Sequence, residues 1–222
     1  MKRLHRDSYE QMISGATVIS RDLYGDKVLK LLDGRMAKLF RLKRKFSSAL
    51  VYPYAKRFER AARKLRKLNI PSVHVIDIFR VKSIARDMVL YNPLEGKTLR
   101  EVLESSENKD VLLKNLAIFL AKLHDKGIYF RSIHFGNIIL LSNGKFGLID
   151  ISDLRISLSS LRLQKRIRNF KHMLRYKEDR KAILDFGIDF FFDTYIENSD
   201  VSQRFRRSLL RHLKSLCLVN GK

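Results

Sequence analysis

The chain has 222 residues, and its 46 lysines and arginines outnumber its 23 acids, which gives a formal net charge of +23 at pH 7. Hydrophobic residues make up 45% of the sequence, which is enough for a packed core and excludes wholesale disorder. The single cysteine excludes an intramolecular disulfide and a cysteine-based zinc site, and no apolar run is as long as a transmembrane helix. Because the charged start is unlike a secretory signal, we expect a cytoplasmic protein without an integral membrane span.

The first third of the chain predicts strands and one helix. Asp33-Gly34 stands between two apolar runs and is typical of a two-residue hairpin turn. A helix is predicted over 54–68, where apolar residues recur at helical spacing just after Pro53. The predicted strands of this part cover residues 28–32, 35–40, 73–79 and 88–91.

The rest of the chain predicts mostly helices. A polar crossing at Asn92–Gly96 is followed by predicted helices over 98–104 and 110–126, the second of which Gly127 closes. From about residue 161 the sequence is again typical of helices and is strongly basic.

A second hairpin is predicted inside this helical part. Asn143-Gly144 lies between predicted strands at 138–141 and 146–149. The order of elements indicates an α+β fold in two lobes. We place the first lobe, with strands plus one helix, at 1–92, and the mostly helical second lobe at 93–222.

The tract that carries most chemical information runs from Leu123-His124 at a helix end, through a loop to Asn137, and across the hairpin to Asp150. Amide and carboxylate oxygens at the two ends of a hairpin are hard ligands that can share Mg²⁺ with ATP phosphates. The tract resembles the catalytic loop and metal-binding segment of the protein-kinase-like superfamily. The resemblance implies a compact two-lobed kinase-like fold that uses ATP and Mg²⁺, with Asn137 and Asp150 as metal ligands.

In that superfamily a strand lysine holds the nucleotide phosphates and pairs with a glutamate on the next helix. Lys38 lies in the second strand of the first hairpin, and Lys30 in the first strand is the alternative. Glu59 lies on the following helix and is the only acid between Arg35 and Lys67. The resemblance therefore implies that Lys38 and Glu59 bind the nucleotide. The glycine-rich loop that covers the phosphates in the superfamily is not matched.

The catalytic loop departs from the superfamily at its base. Arg131 matches the expected arginine, but Ser132 stands where the catalytic aspartate belongs, and a hydroxyl is a poor base near neutral pH. His134 could take the proton instead, or could simply be a loop histidine that bonds to backbone. Asp153 could project into the site, or could pair with Arg155 or another base. Two functions therefore stay open: a phosphotransferase, and a pseudokinase that binds nucleotide as a scaffold in envelope assembly.

A further likeness is carried by the tracts 33–40, 50–55, 129–137 and 148–155. These tracts resemble the lipopolysaccharide kinase group, which includes the core heptose kinases and the toluene tolerance proteins. The resemblance implies that ATP phosphorylates a sugar hydroxyl of the lipopolysaccharide core.

Basic residues cluster in three stretches of the chain. Residues 35–67 hold thirteen Lys and Arg with one acid, 155–177 hold eight with none, and 201–222 hold six with none. Such stretches attract polyanions, so the core glycolipid or the anionic inner-membrane surface is the predicted partner. We expect peripheral binding there, and the apolar spacing within 205–216 suits either a membrane-surface helix or a last core helix. Nucleic acid is the least favoured partner, because no recognised nucleic-acid motif is present.

Overall fold

The computed structural model describes residues 1–41 and 52–219 of the chain, and side chains as far as residue 216. Its contacts divide the chain into two units. The first unit comprises Met1–Leu94 together with Asp150–Asp153, and the second comprises Glu95–Ile149 together with Leu154–Lys222. The predicted lobe boundary at residue 92 assigns Asp150–Asp153 to the second lobe, whereas the structure places this segment in the first unit. Helices and β-sheet occur together, which is compatible with the predicted α+β class.

A six-stranded sheet forms the centre of the first unit, in the order β1-β5-β6-β4-β3-β2. The strands are β1 (Lys2–Leu4), β2 (Thr17–Asp22), β3 (Gly25–Lys30), β4 (Met36–Arg41), β5 (His74–Val81) and β6 (Arg86–Asn92). β1 runs parallel to β5, and the other neighbours in this sheet are antiparallel. The predicted hairpin between β3 and β4 is confirmed, with Gly34 at a φ of +83° in its turn.

Each face of this sheet is covered by one helix. Helix α1 (Arg6–Ile13) brings Tyr9 to a buried cluster that includes Leu29, Leu39 and Met88. This helix and β1 were not predicted, so the expectation of one helix in the first lobe is wrong. Their sequence is mostly polar and charged, and β1 pairs with a strand far along the chain.

Helix α2 (Tyr54–Lys67) packs through Phe58, whose ring lies 5.5 Å from that of Tyr91 on β6. Side chains alternate between the two faces of a strand. Ala37 and Leu39 of β4 join the cluster under α1, and Lys38 and Phe40 therefore point towards α2. The helix predicted over 54–68 is confirmed.

The second unit is mostly helical. Its helices are α3 (Leu99–Ser105), α4 (Lys109–Asp125), α5 (Leu163–Met173), α6 (Lys177–Phe186), α7 (Ile188–Glu197) and α8 (Gln203–Val219). Its strands are β7 (Lys97–Thr98), β8 (Ile128–Tyr129), β9 (Ile138–Leu140), β10 (Phe146–Leu148) and β11 (Arg155–Ile156). They form a three-stranded sheet, β10-β9-β7, and a β11-β8 pair.

The local signals predicted in this unit are confirmed. The hairpin of β9 and β10 turns at Gly144, and Gly127 follows α4 with a φ of +73°. Gly96 enters β7 so close to β9 that an added Cβ would lie 2.3 Å from the carbonyl oxygen of Leu140. Among the described residues, no helix is long and apolar enough to cross a bilayer. Residues 42–51, which hold part of the first basic stretch and part of the 50–55 tract, lie outside the described residues.

Candidate functional site

Lys38 is a buried cation in the middle of the first sheet. It lies on β4 between Val28 of β3 and Val89 of β6, and it is 6% exposed. Its Nζ lies 2.6 Å from Oδ1 of Asp150. Nζ also lies 5.7 and 5.6 Å from the ring centroids of Phe40 and Phe58. An ammonium group in such surroundings is costly to bury without a counter-charge, and Asp150 supplies it.

Asp150 has a backbone conformation that side chains seldom adopt. Its φ is +50°, in the left-handed region, where aspartate and asparagine are tolerated better than most residues. Its side chain is 38% exposed, and only Oδ1 is engaged by Lys38. Burial, aided by the Asp150 carboxylate, raises the pKa of Tyr91 to about 12, so this phenol is neutral at pH 7. The left-handed turn therefore holds a carboxylate against a buried lysine.

Glu59 does not pair with Lys38 in the part of the chain that the structure describes. Phe58 is the residue of α2 that faces Lys38, and Glu59 is turned about 100° further round the helix. Glu59 is half-buried and lines a cavity with Arg63 and Arg66. The predicted Lys38–Glu59 ion pair is therefore replaced by the Lys38–Asp150 pair. Lys30, the alternative lysine, is exposed.

Asn137 is fixed within the second unit. Its Nδ2 donates to the backbone oxygen of Ser132 at 2.8 Å, and its own backbone oxygen accepts from the N–H of Ile149 at 3.1 Å. The side chain is 8% exposed. Because the amide nitrogen is used for the loop, its Oδ1 is left as the acceptor. The structure thus brings together Asn137 and Ser132, two of the predicted site residues.

Contacts from distant helices hold the loop that contains Ser132 and Asn137. Asn169 of α5 accepts from the N–H of Phe130 and donates to its oxygen at 2.6 Å. Asp179 of α6 is fully buried and accepts the N–H of Phe135 at 2.7 Å. Arg100 of α3 donates two hydrogen bonds to the same carboxylate. Burial raises the pKa of Asp179, whereas the Phe135 N–H and Arg100 oppose that rise.

Sequence reasoning missed these supporting residues. Arg100 and Asp179 are 79 positions apart, so no local spacing joins them.

His134 is bound to its own loop. Its Nδ1 accepts from the N–H of Gly136 at 3.1 Å, and its ring packs against that of Tyr176, with the centroids 4.4 Å apart and the planes tilted by 39°. Since Nδ1 is an acceptor, the neutral ring carries its proton on Nε2 and acts there as a donor. This geometry favours the loop-histidine interpretation over a general base.

The remaining predicted site residues occupy separate places. Arg131 is exposed and Ser132 is half-buried in the second unit. Asp153 ends the short helix Ile151–Asp153, which packs against α2 in the first unit. A role for Asp153 in proton removal stays a prediction.

A buried polar network underlies the end of α4. His124 is 1% exposed and bonds to the Tyr195 hydroxyl at 2.8 Å and to Asn169 at 3.1 Å. Arg166 bonds to the same Tyr195 hydroxyl and to Asp125. Burial, together with the charge of Arg166, lowers the pKa of His124 to about 3. His124 is therefore a neutral packing residue rather than a catalytic acid or base.

Taken one by one, these residues carry groups of the kind that the implied metal and nucleotide need. Asp150 in the first unit and Asn137 in the second each carry a hard oxygen of the kind that Mg²⁺ prefers, and Lys38 carries a cation that can attract phosphate. Within the described ranges, no group of three or more His, Cys, Asp or Glu side chains could hold a metal by itself.

No protein-family model matches the chain, and a search of curated proteins finds no significant match.

Proposed function

We propose that the protein is a kinase-like phosphotransferase that uses ATP and Mg²⁺, with a sugar of the lipopolysaccharide core as acceptor. The observation that carries the proposal is the Lys38–Asp150 ion pair, formed by a left-handed aspartate against a buried lysine. A strained backbone and a buried charge both cost stability, which favours a functional over a purely structural role for these residues. The resemblance to the lipopolysaccharide kinase group supplies the acceptor.

Each residue has a definite task in this proposal. Lys38 binds the nucleotide phosphates, and Asn137 and Asp150 hold Mg²⁺, which neutralises phosphate charge when bound. The bond from Asn137 Nδ2 to the backbone oxygen of Ser132 fixes the side chain, and the amide oxygen is the atom that would bind the metal. Arg100 and Asp179 keep the loop in place through Phe135. The net charge of +23 favours an anionic acceptor at the inner membrane surface.

Thermal unfolding with and without Mg²⁺·ATP tests nucleotide binding. A ligand at 100 times its Kd stabilises by about 2.7 kcal/mol, so the wild type should show a clear rise in Tm that requires metal. Lys38→Met and Asp150→Asn should not respond. Lys30→Met is the matched control, since this exposed lysine on the neighbouring strand should leave the response intact. A response that survives in Lys38→Met would contradict the proposed site.

Phosphate transfer to purified core oligosaccharide tests the activity itself. Transfer by the wild type should exceed transfer by Asp150→Asn at equal protein concentration. The absence of that difference would reject a phosphotransferase acting on this acceptor.

A pseudokinase that binds nucleotide without turnover is the second candidate. Ser132 carries no carboxylate, and His134 already accepts a hydrogen bond from its own loop, so no base of the usual kind is in place. A metal-dependent Tm response without transfer to any sugar acceptor would favour this function. Restoring the carboxylate with Ser132→Asp should then leave nucleotide binding intact and create transfer if only the base is missing.

A further inference from the structure

The cavity that Glu59, Arg63 and Arg66 line in the first unit has no place in the proposed function. It has a volume of about 400 Å³ and lies between α2, the loop after it and the start of β5. Glu59, Arg63 and Arg66 form one wall, and His74 stands opposite on β5. Lys38 and Asp150 do not line it.

The sequence of α2 creates this polar wall. Glu59, Arg63 and Arg66 recur at helical spacing, so their side chains share one face of the helix. The helix ends where Asn69 adopts a left-handed φ of +54°, which turns the chain back towards β5. Ile70 follows, is 2% exposed and is one of the residues around the cavity.

The two arginines of the wall have no ion-pair partner among the residues that the structure describes. By contrast, Arg80 is paired with Asp87, and Arg100 with Asp179. Among the described residues, Glu59 forms no ion pair with either arginine, although all three line the cavity. Two unpaired guanidinium groups therefore flank one concave surface.

We propose that this cavity binds a small organic phosphate. A phosphomonoester carries close to two negative charges at pH 7, and guanidinium groups bind phosphate through paired hydrogen bonds. The volume is large enough for a drug-sized ligand and exceeds the needs of a bare phosphate ion. Pro71 and Val75, which are half-buried and line the cavity, offer an apolar surface to the body of the ligand. Glu59 can accept hydrogen bonds from ligand hydroxyls, which favours a phosphorylated polyol or sugar.

Titration calorimetry with glucose 6-phosphate, glucose and inorganic phosphate at constant ionic strength tests the site. Glucose 6-phosphate should bind, glucose should not, and inorganic phosphate should bind more weakly. Arg63→Gln/Arg66→Gln should weaken the binding of glucose 6-phosphate by about tenfold or more. The matched control is Arg60→Gln/Lys67→Gln, which removes the same charge from exposed positions of α2 outside the cavity and should bind as the wild type does.

Glu59→Gln should change the affinity for phosphate in the opposite direction to the arginine substitutions. Removing this carboxylate removes its repulsion of the phosphate, so inorganic phosphate should bind several-fold more tightly. The circular dichroism spectrum and the Tm of each variant check that it folds. Because Arg63 and Arg66 are exposed, we expect the spectrum and the Tm of Arg63→Gln/Arg66→Gln to match those of the wild type.

Three results would overturn the site. The first is binding that is unchanged in Arg63→Gln/Arg66→Gln. The second is an equal loss in both double variants, since this would reflect net charge alone. The third is a loss in Lys38→Met with no loss in Arg63→Gln/Arg66→Gln, since the phosphate would then occupy the proposed nucleotide site. Vesicles containing phosphatidic acid test whether the phosphomonoester is a lipid headgroup. Binding to these vesicles that is lost in Arg63→Gln/Arg66→Gln supports the same site with a lipid headgroup as its ligand.

Because Lys38 and Asp150 do not line the cavity, this site can exist even if the protein transfers no phosphate. If Mg²⁺·ATP does not raise the Tm of the wild type, the expected result of the glucose 6-phosphate titration is unchanged. The two proposals are thus tested independently.

Discussion

Removing the charge of Asp150 leaves the Lys38 ammonium buried without a counter-charge, so Asp150→Asn should lower the free energy of unfolding. Breaking a fully buried pair costs about 3–5 kcal/mol, and a surface pair contributes about 0–1 kcal/mol. The Lys38 side chain is 7% exposed and that of Asp150 is 38% exposed. We therefore expect an intermediate cost of about 2 kcal/mol. Asparagine tolerates the left-handed φ of this position, so the backbone adds little.

Urea unfolding measures this cost. With a slope near 2.5 kcal/mol/M, a loss of about 2 kcal/mol lowers the urea midpoint by about 0.8 M. Lys38→Met is the second single variant. It removes the buried charge and leaves an apolar chain beside the rings of Phe40 and Phe58, so it should destabilise the protein less than Asp150→Asn does.

The double variant isolates the ion pair. In the Lys38→Met background, Asp150→Asn should cost close to nothing, which gives a coupling energy of about 2 kcal/mol. If Asp150→Asn costs the same in both backgrounds, the pair does not carry the stability that its geometry indicates. The reasoning would also be wrong if Lys38→Met alone were the most destabilised of the three.

Three further predictions concern the second unit. Gly96→Ala should destabilise the protein by about 3 kcal/mol or more in urea unfolding, because its Cβ would meet a carbonyl of β9 at 2.3 Å and its φ is +141°. Because the pKa of His124 is lowered to about 3 while an unfolded histidine titrates near 6.5, the unfolded chain takes up the proton first. The free energy of unfolding should therefore fall as the pH drops from about 6.5 towards 3, and His124→Gln should flatten that slope. Arg100→Met leaves the buried carboxylate of Asp179 without its guanidinium and should cost about 3 kcal/mol in urea unfolding.

Each of these predictions has a matched control. Gly144→Ala also places a side chain at positive φ, but nothing lies within 4 Å of its Cβ, so it should cost only about 1 kcal/mol. Equal costs at the two glycines would refute the steric argument. An unchanged pH slope in His124→Gln would show that other groups cause the acid sensitivity. Adding Asp179→Asn to Arg100→Met should recover stability, and further loss would contradict the buried-charge explanation.

The parts of the fold that were predicted correctly have local causes. The turn at Gly34 and the turn at Gly144 follow from dipeptides that suit tight hairpins, and α2 follows from apolar residues at helical spacing. These signals lie within a few residues of the structure they specify. β1 and α1 lack such signals, because β1 is a short charged strand whose partner is about 75 residues away.

The sequence predicted which residues belong to the candidate site, but it did not predict which of them contact each other. Lys38, Asn137 and Asp150 stand out because of their order along the chain, whereas the bond between Lys38 and Asp150 spans 112 positions. The resemblance implied Glu59 as the partner of Lys38, and packing decided otherwise when Phe58 took the position that faces the lysine. Which residue of a helix faces a sheet depends on rotation by a fraction of a turn, and sequence spacing alone does not fix that rotation.

The discontinuous make-up of the first unit has a consequence for synthesis of the chain. β1 emerges from the ribosome well before β5 and cannot pair until β5 has emerged, and Lys38 meets Asp150 only when residue 150 has emerged. By then residues 95–149 of the second unit are already outside. The two units must therefore mature in an interleaved order, and a fragment that stops at Leu94 would carry a buried lysine without Asp150, its ion-pair partner among the described residues.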